Sequence, residues 1–394
     1  MNNASIANIN RAQVIAFGIG IVGLVISAIG AFGNTGGFMQ SYLFAWLFWI
    51  GVSLGAFPLL LTQHIAGGSW GATIRRPLEA ALMVLPIMIL LFIPIVLGMG
   101  HLYPWMKAAY LEIHPTVSAK SSYLNQTWFI IRAIVYFALW MLGAWYFVKT
   151  GEKQDNDKKN AKVLQLRMGK RSVPWFILYF VTMTLASVDW GMSLTPVWYS
   201  GIYGTMIVTI QTISTLAIAI VSLIYLARTE GIIDKLLTPK RLQDLGNFLM
   251  AYIIFWAYVN FAQLIIIWSN NITETNTWYV TRFDGPWRGM SLFLLFFGFF
   301  GTFAILISRW VKRQRTALAW VSVWSFIVQL IFMFYVIIPA FERTGSVFSW
   351  LDFATVIGLG GIWFAVYIFQ LKSRPIIPVN DPRLESIIEV NNHG

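Results

Sequence analysis

Residues 203–227 read YGTMIVTIQTISTLAIAIVSLIYLA, and no charged side chain interrupts them before Arg228. A helix rises about 1.5 Å per residue, so a stretch of this length covers a hydrocarbon core of about 30 Å. Working outward, runs at 13–33, 38–63, 77–100, 122–148 and 173–191 precede it, and runs at 246–269, 287–308, 316–341 and 350–371 follow; each is long enough to span. The sixth of the ten runs is 199–227. The expected fold is all-α: a polytopic membrane protein of about ten transmembrane helices in one domain, 1–394. Spans two to five and six to nine read as two four-helix bundles with flanking helices. The longest polar stretch, 149–172, reads as a charged linker between halves, 101–121 as an interfacial loop, and 372–394 as a polar tail along the cytoplasmic surface.

Composition agrees. Of 394 residues 58% are hydrophobic and only 11% charged, where a soluble domain is nearer a quarter charged. The 19 Trp, 30 Phe and 15 Tyr suit rings that anchor helices at both interfaces. A formal charge of +12 raises the question of nucleic acid, but the cations sit in short loops between apolar runs, where they set orientation instead. Arg11, Arg75, Arg76, the cluster from Lys149 to Arg171, Arg228, Lys235, Lys240, Arg241, Arg309, Lys312, Arg313, Arg315, Lys372, Arg374 and Arg383 fall on one side. Only Lys107, Lys120, Arg282, Arg288 and Arg343 fall on the other. The bias predicts cytoplasmic N- and C-termini. The first run follows Arg11 and ends in Gly33-Asn34-Thr35-Gly36-Gly37, a turn and not a cleavage site, so it reads as a retained helix.

Cysteine is absent, which removes disulfides, iron–sulfur ligation and c-type haem attachment from this chain. The histidines are His64, His101, His114 and His393; His64 and His101 fall at opposite membrane faces, so no pair is placed to hold a transmembrane haem. No covalently bound cofactor and no metal site are expected.

Charges inside lipid cost about 2.5–3.5 kcal/mol each on insertion scales, so each needs a partner or a purpose. Asp189 ends span five in Ala186-Ser187-Val188-Asp189-Trp190-Gly191; desolvation disfavours its charge, which suits proton exchange with a quinol or a water chain, or else it accepts from helix N-termini. Arg132 lies about 15 Å into span four, too deep to reach water easily, and should meet a carboxylate or a helix C-terminus. Glu79 follows Arg75 and Arg76 by four and three residues, on one helix face, with His64 nearby: an interfacial ion pair or a proton entry point. After span seven come Asn271, Glu274, Trp278-Tyr279, Arg282 and Asp284, a polar and aromatic mixture that suits a docking or site loop.

Ser187-Val188-Asp189-Trp190, then Trp198-Tyr199-Ser200 and Ile202-Tyr203-Gly204, resemble the NrfD/polysulfide-reductase-type membrane subunits. The span-seven exit, Gln263…Ile266-Ile267-Trp268-Ser269-Asn270-Asn271…Glu274…Trp278-Tyr279…Arg282, resembles the alternative complex III branch of that family, the quinol:electron-acceptor oxidoreductases. The tail Asn380-Asp381-Pro382-Arg383-Leu384-Glu385-Ser386 is similar to the C-terminus of the shorter of its two NrfD-like subunits, ActF.

That resemblance implies a membrane subunit of a respiratory or photosynthetic electron-transport complex. Its partners would be a paralogous quinol-binding subunit (ActC), an iron–sulfur subunit, a multihaem cytochrome c subunit and other small membrane subunits, with haem c and iron–sulfur clusters held by the partners and menaquinol or ubiquinol as the quinol. It places Asp189 and the Glu274/Arg282 pair on family motif positions and gives His101 no equally clear place. Three functions stand open: a scaffold with a proton path through Asp189, Arg132, Glu79 and His64; a quinol pocket beside Asp189 and Tyr203; and a secondary transporter, for which Pro86, Pro94, Gly98 and Gly100 in span three lack an obvious match in span seven.

Overall fold

The structure is a computed structural model that describes residues 3–341, 343 and 347–384. The chain is an all-α, multi-pass membrane protein: ten helices are long and apolar enough to cross a membrane, and no strand occurs among the described residues. In order they are Ala7–Gly33, Thr35–Ala66, Trp70–Leu97, Gln126–Asn156, Ala161–Leu194, Tyr203–Thr229, Pro239–Asn270, Gly285–Ile307, Arg315–Ala340 and Trp350–Lys372.

Spans two to five form one bundle, spans seven and nine pack on span six with span eight against seven and nine, and spans two and six join the two groups. Every side chain of span two from Ser41 to Leu61 is buried. Its polar groups therefore need internal partners, and span three supplies them. Pro86 and Pro94 break span three into short helices, because proline has no N–H to donate and disturbs the preceding turn. The Phe92 and Ile95 amides bond one residue nearer than in an α-helix, to the Ile89 and Phe92 carbonyls, leaving the carbonyls of Met88 and Leu91 without helical donors. Trp46 Nε1 donates to Met88 at 2.8 Å and Tyr42 Oη to Leu91 at 2.8 Å. In a bilayer such freed carbonyls must be re-satisfied by protein, and residues 42 and 46, one turn apart on span two, do so.

The stretch 149–172 is not a linker between halves. Span four runs on to Asn156 and span five starts at Ala161, so the charged residues extend two helices of the same bundle and only 157–160 turns between them. Asp157 closes that turn, accepting from the Asn160 backbone and side-chain amides at 3.1 and 2.7 Å. Segment 101–121 carries short helices, Ala108–Ile113 and Pro115–Ser118, before span four. Span eight contains a π-helical stretch, Leu294–Gly301; the Phe297 carbonyl accepts from Thr302 and Trp324 side chains at 3.1 and 3.3 Å.

Span one packs chiefly on span ten. The seam is glycine on glycine: a Cβ on Gly23 would lie 2.6 Å from the Gly358 Cα, and one on Gly20 would lie 2.6 Å from the Ile362 nitrogen. Small residues let backbones approach where no hydrophobic force separates helix from lipid. Gly18 faces open space, among exposed apolar neighbours such as Val14 and Phe17. Gly23→Val should therefore lower stability by about 1–3 kcal/mol through overpacking, while Gly18→Val leaves it nearly unchanged. Unfolding midpoints of the two variants in detergent check this, and equal midpoints would contradict the seam.

Candidate functional site

Two polar clusters cap the first bundle, one at the face that carries most of the Lys and Arg (the basic face) and one at the far face. They lie roughly 30 Å apart along span five, from Met168 to Asp189.

At the far face the structure joins two residues read separately from the sequence. Arg132 Nε and Nη2 each donate to Asp189 at 2.8 Å, one to each carboxylate oxygen. Tyr136 Oη donates to the same carboxylate at 2.9 Å, and Arg132 Nη1 donates to the Tyr123 carbonyl at 3.1 Å. The guanidinium also lies 3.8 Å from the centre of the Tyr123 ring. Asp189 is fully buried and Arg132 16% exposed. Span four begins at Gln126, later than expected, so Arg132 sits in the second turn, about 9 Å from the helix start. A bidentate arginine–carboxylate pair is the strong form of this contact, and it carries no net charge. Burial and the Asp189 charge push the Tyr123 phenol up to about 12, and the same two causes raise Tyr103, which donates to the Trp190 carbonyl at 3.3 Å.

Below this pair, spans two, five, six and nine enclose a cavity of about 10 Å³, room for a single water. Ser187, Trp190, Tyr203 and Gln211 line it. The Trp190 indole N–H is buried with no partner among the described residues, a donor that a water there would satisfy. Gln211 continues the polar line: Tyr179 Oη donates to Gln211 Oε1 at 2.8 Å. One turn from Tyr179 on span five, Thr182 accepts from Trp140 Nε1 at 3.0 Å.

The second cluster lies at the basic face and is larger than an interfacial pair. Arg75, Arg76 and Glu79 share one face of span three, as their spacing predicts, and Glu79 takes Arg75 Nε at 2.8 Å and Arg76 Nη1 at 2.5 Å. Arg76 also pairs with Asp155 of span four. Arg75 Nη1 reaches Gln154 at 2.8 Å and Asp381 at 3.0 Å. Gly151 makes room, since a Cβ there would lie 2.6 Å from Arg75 Nη2.

Asp381 corrects the reading of the tail. Val379 is exposed, but the residues after it turn inward: Asp381 is fully buried, Asn380 Nδ2 donates to the Asp155 carbonyl at 2.7 Å, and Arg383 Nη1 donates to the Gln63 carbonyl at 2.8 Å. Burial pulls the Arg383 guanidinium below its ordinary value, and Asp381, 3.3 Å away, pulls it back. Arg75, Arg76 and Arg383 thus balance Glu79, Asp155 and Asp381. His64 is buried beside them, stacked on Phe147 with ring centres 5.7 Å apart, and both ring nitrogens lack partners among the described residues. Glu385, Ser386 and His393 lie outside the described residues.

The loop after span seven resolves into structural roles. Asn271 ends the helix in the left-handed region, φ 46°, and accepts from Asn276 at 2.8 Å. Asp284 is exposed and caps span eight by accepting from the Gly285 amide at 2.8 Å. The side chain of Glu274 lies outside the described residues. Arg282 is 2% exposed and spends its guanidinium on carbonyls: Trp278 at 2.9 Å, Tyr335 at 3.1 Å and Val336 at 2.7 Å. The last two belong to the C-terminal turn of span nine, where carbonyls lack helical donors and a cation is favoured. Burial lowers Arg282 to about 10, partly offset by Tyr335, Tyr203 and Tyr279, so it stays protonated at neutral pH. His101 is exposed on the short helix after span three and joins neither cluster.

A further pair was not read from the sequence. Arg343 bonds both oxygens of Asp352, at 2.7 and 3.0 Å, and Ser41 of span two donates to Asp352 at 2.6 Å. Its only local signal is Asp352 three residues after Ser349, the spacing of a helix capping box.

Ten membrane-spanning helices with charge-neutral polar clusters buried at both ends of one bundle define the class of the protein. No family model matches the chain, and no curated protein sequence is similar to it.

Removing one member of a buried pair strands the other. Asp189→Leu should cost about 3 kcal/mol, while Arg132→Leu/Asp189→Leu should recover most of that loss. Chemical unfolding in detergent of the two singles and the double gives the coupling directly; additive effects would mean that the pair does not interact.

Proposed function

We propose that this chain is an integral membrane subunit of a quinol:electron-acceptor oxidoreductase of the alternative complex III type, working in a respiratory or photosynthetic chain. In this reading it is a scaffold, not a redox carrier, and it supplies a buried polar route for protons coupled to quinol oxidation by its paralogue. The Ser187–Trp190 and span-seven motifs support the family. The observation that carries the proton route is the row of polar groups on span five, from Asp189 through Ser187 and the one-water cavity to Gln211 and Tyr179.

The row is not continuous. From Tyr179 to Ser172 span five advances about 10 Å, and Phe57 packs against Tyr179 there with ring centres 5.7 Å apart. A proton moving on to the Glu79 cluster needs water to enter that gap, which makes the gap the controlled step. The cavity's size weighs against the quinol reading, because a ring that displaces many waters has no room where one water fits. Span seven is one unbroken helix, Pro239–Asn270, so span three's breaks have no counterpart of the kind transporter sites use. In this reading the basic face is cytoplasmic and the membrane a bacterial inner membrane.

Gentle purification should bring down c-type haem, an iron–sulfur subunit and a second NrfD-like chain; a colourless chain that purifies alone would overturn the assignment. Within the complex, Tyr179→Phe should slow proton release at least about tenfold at unchanged haem content. Unchanged proton release and turnover would remove the route and leave the scaffold.

A further inference from the structure

The hairpin of spans four and five carries a cleft that neither polar cluster uses. It measures about 690 Å³ and is lined by Lys149, Glu152, Lys153 and Asn156 from span four and by Asn160, Val163, Leu164 and Arg167 at the start of span five, with Asp157 in the turn. Its acids are already engaged: Glu152 accepts from Lys149 at 2.6 Å and Arg374 at 2.8 Å, and Asp157 accepts from Asn160. Lys153 and Arg167 are exposed and have no hydrogen-bond or ion-pair partner among the described residues. Two unspent cations therefore face one opening.

The start of span five adds only its dipole. Asp157 already accepts from the Asn160 amide at 3.1 Å and the Ala161 amide donates to the Lys158 carbonyl at 3.4 Å, so the cations carry the attraction for an anion here.

We propose that this cleft binds the phosphate headgroup of an anionic phospholipid. Lipid is favoured over free phosphate by what lies beside the cleft. On the same helical stripe as Lys149, one and two turns toward the membrane interior, Trp145 and Leu142 are 56% and 57% exposed. On span five Val173 and Ile177 are 49% and 62% exposed, on the stripe that begins at Leu166, next to Arg167. A headgroup held by Lys153 and Arg167 leaves its acyl chains along this apolar surface. Basic pockets between transmembrane helices at a membrane face bind headgroups in this way. The site is independent of the oxidoreductase reading.

The test uses the full chain in mild detergent, titrated with cardiolipin, phosphatidylglycerol or phosphatidylcholine and followed by native mass spectrometry. The wild type should retain cardiolipin or phosphatidylglycerol in preference to phosphatidylcholine. Lys153→Gln/Arg167→Gln should weaken that binding about thirtyfold, and Lys153→Arg/Arg167→Lys should keep it. Lys159→Gln/Lys240→Gln, which removes two exposed cations outside the cleft, should bind as the wild type does. Equal binding of phosphatidylcholine, no loss in the double glutamine variant, or the same thermal stabilisation by inorganic phosphate as by lipid would each overturn the proposal.

Discussion

A guanidinium taken fully out of water has to be paired where it lies, and Arg75 is such a group, with no exposed surface. Its partners come from every direction. Glu79 is on its own helix, Gln154 on span four and Asp381 in the tail, and Met168 of span five lies 3.6 Å away. The basic end of the first bundle is arranged around satisfying this one side chain. The neighbouring pairs follow from it, because two arginines on one carboxylate would leave excess positive charge without Asp155 and Asp381. Low dielectric makes such a network unforgiving: fully satisfied it fixes the helices' positions, partly satisfied it costs more than an apolar core.

The far face shows the same constraint met in different ways. In the first bundle an arginine of span four closes on a carboxylate near the end of span five. In the second, Arg282, just before span eight, closes on the last carbonyls of span nine. Arg343 holds Asp352 at the start of span ten and so ties that helix to Ser41. Each arginine fastens a helix end, with ion pair and backbone cap serving one purpose. The sequence motif after span seven is therefore dense in polar and aromatic residues because it has to hold Arg282 between Trp278 and span nine.

What the sequence made legible was whatever is local. The ten spans follow from length and charge spacing, and the Arg75–Arg76–Glu79 face follows from the helical repeat. Arg132 could be read as needing a carboxylate, yet nothing in the order of residues says that Asp189, 57 positions on, supplies it. Asp381 is further still from Arg75, in a proline-rich tail whose composition resembles an ordinary surface extension. The carbonyl partners of Arg282 were hidden for another reason: backbone carbonyls carry no sequence signature at all. The charged stretch 149–172 read as a linker because charge was taken to end a helix, when it only marks where the helix leaves the lipid.

The glycine seam between span one and span ten has a consequence for how the chain is made. Span one is made well before span ten, the helix it packs against. At ordinary translation rates the interval from Gly33 to Trp350 is on the order of 15 to 60 s. Throughout it, span one's glycine stripe faces lipid, and Arg75 waits for Asp381, which emerges later still. Assembly therefore closes like a clasp, with the span one–span ten seam and the Arg75–Asp381 pair locking at one late moment. A ribosome that stops short of the tail leaves a bundle with an unneutralised arginine inside it, a mark by which a membrane protease can tell an unfinished copy from a finished one.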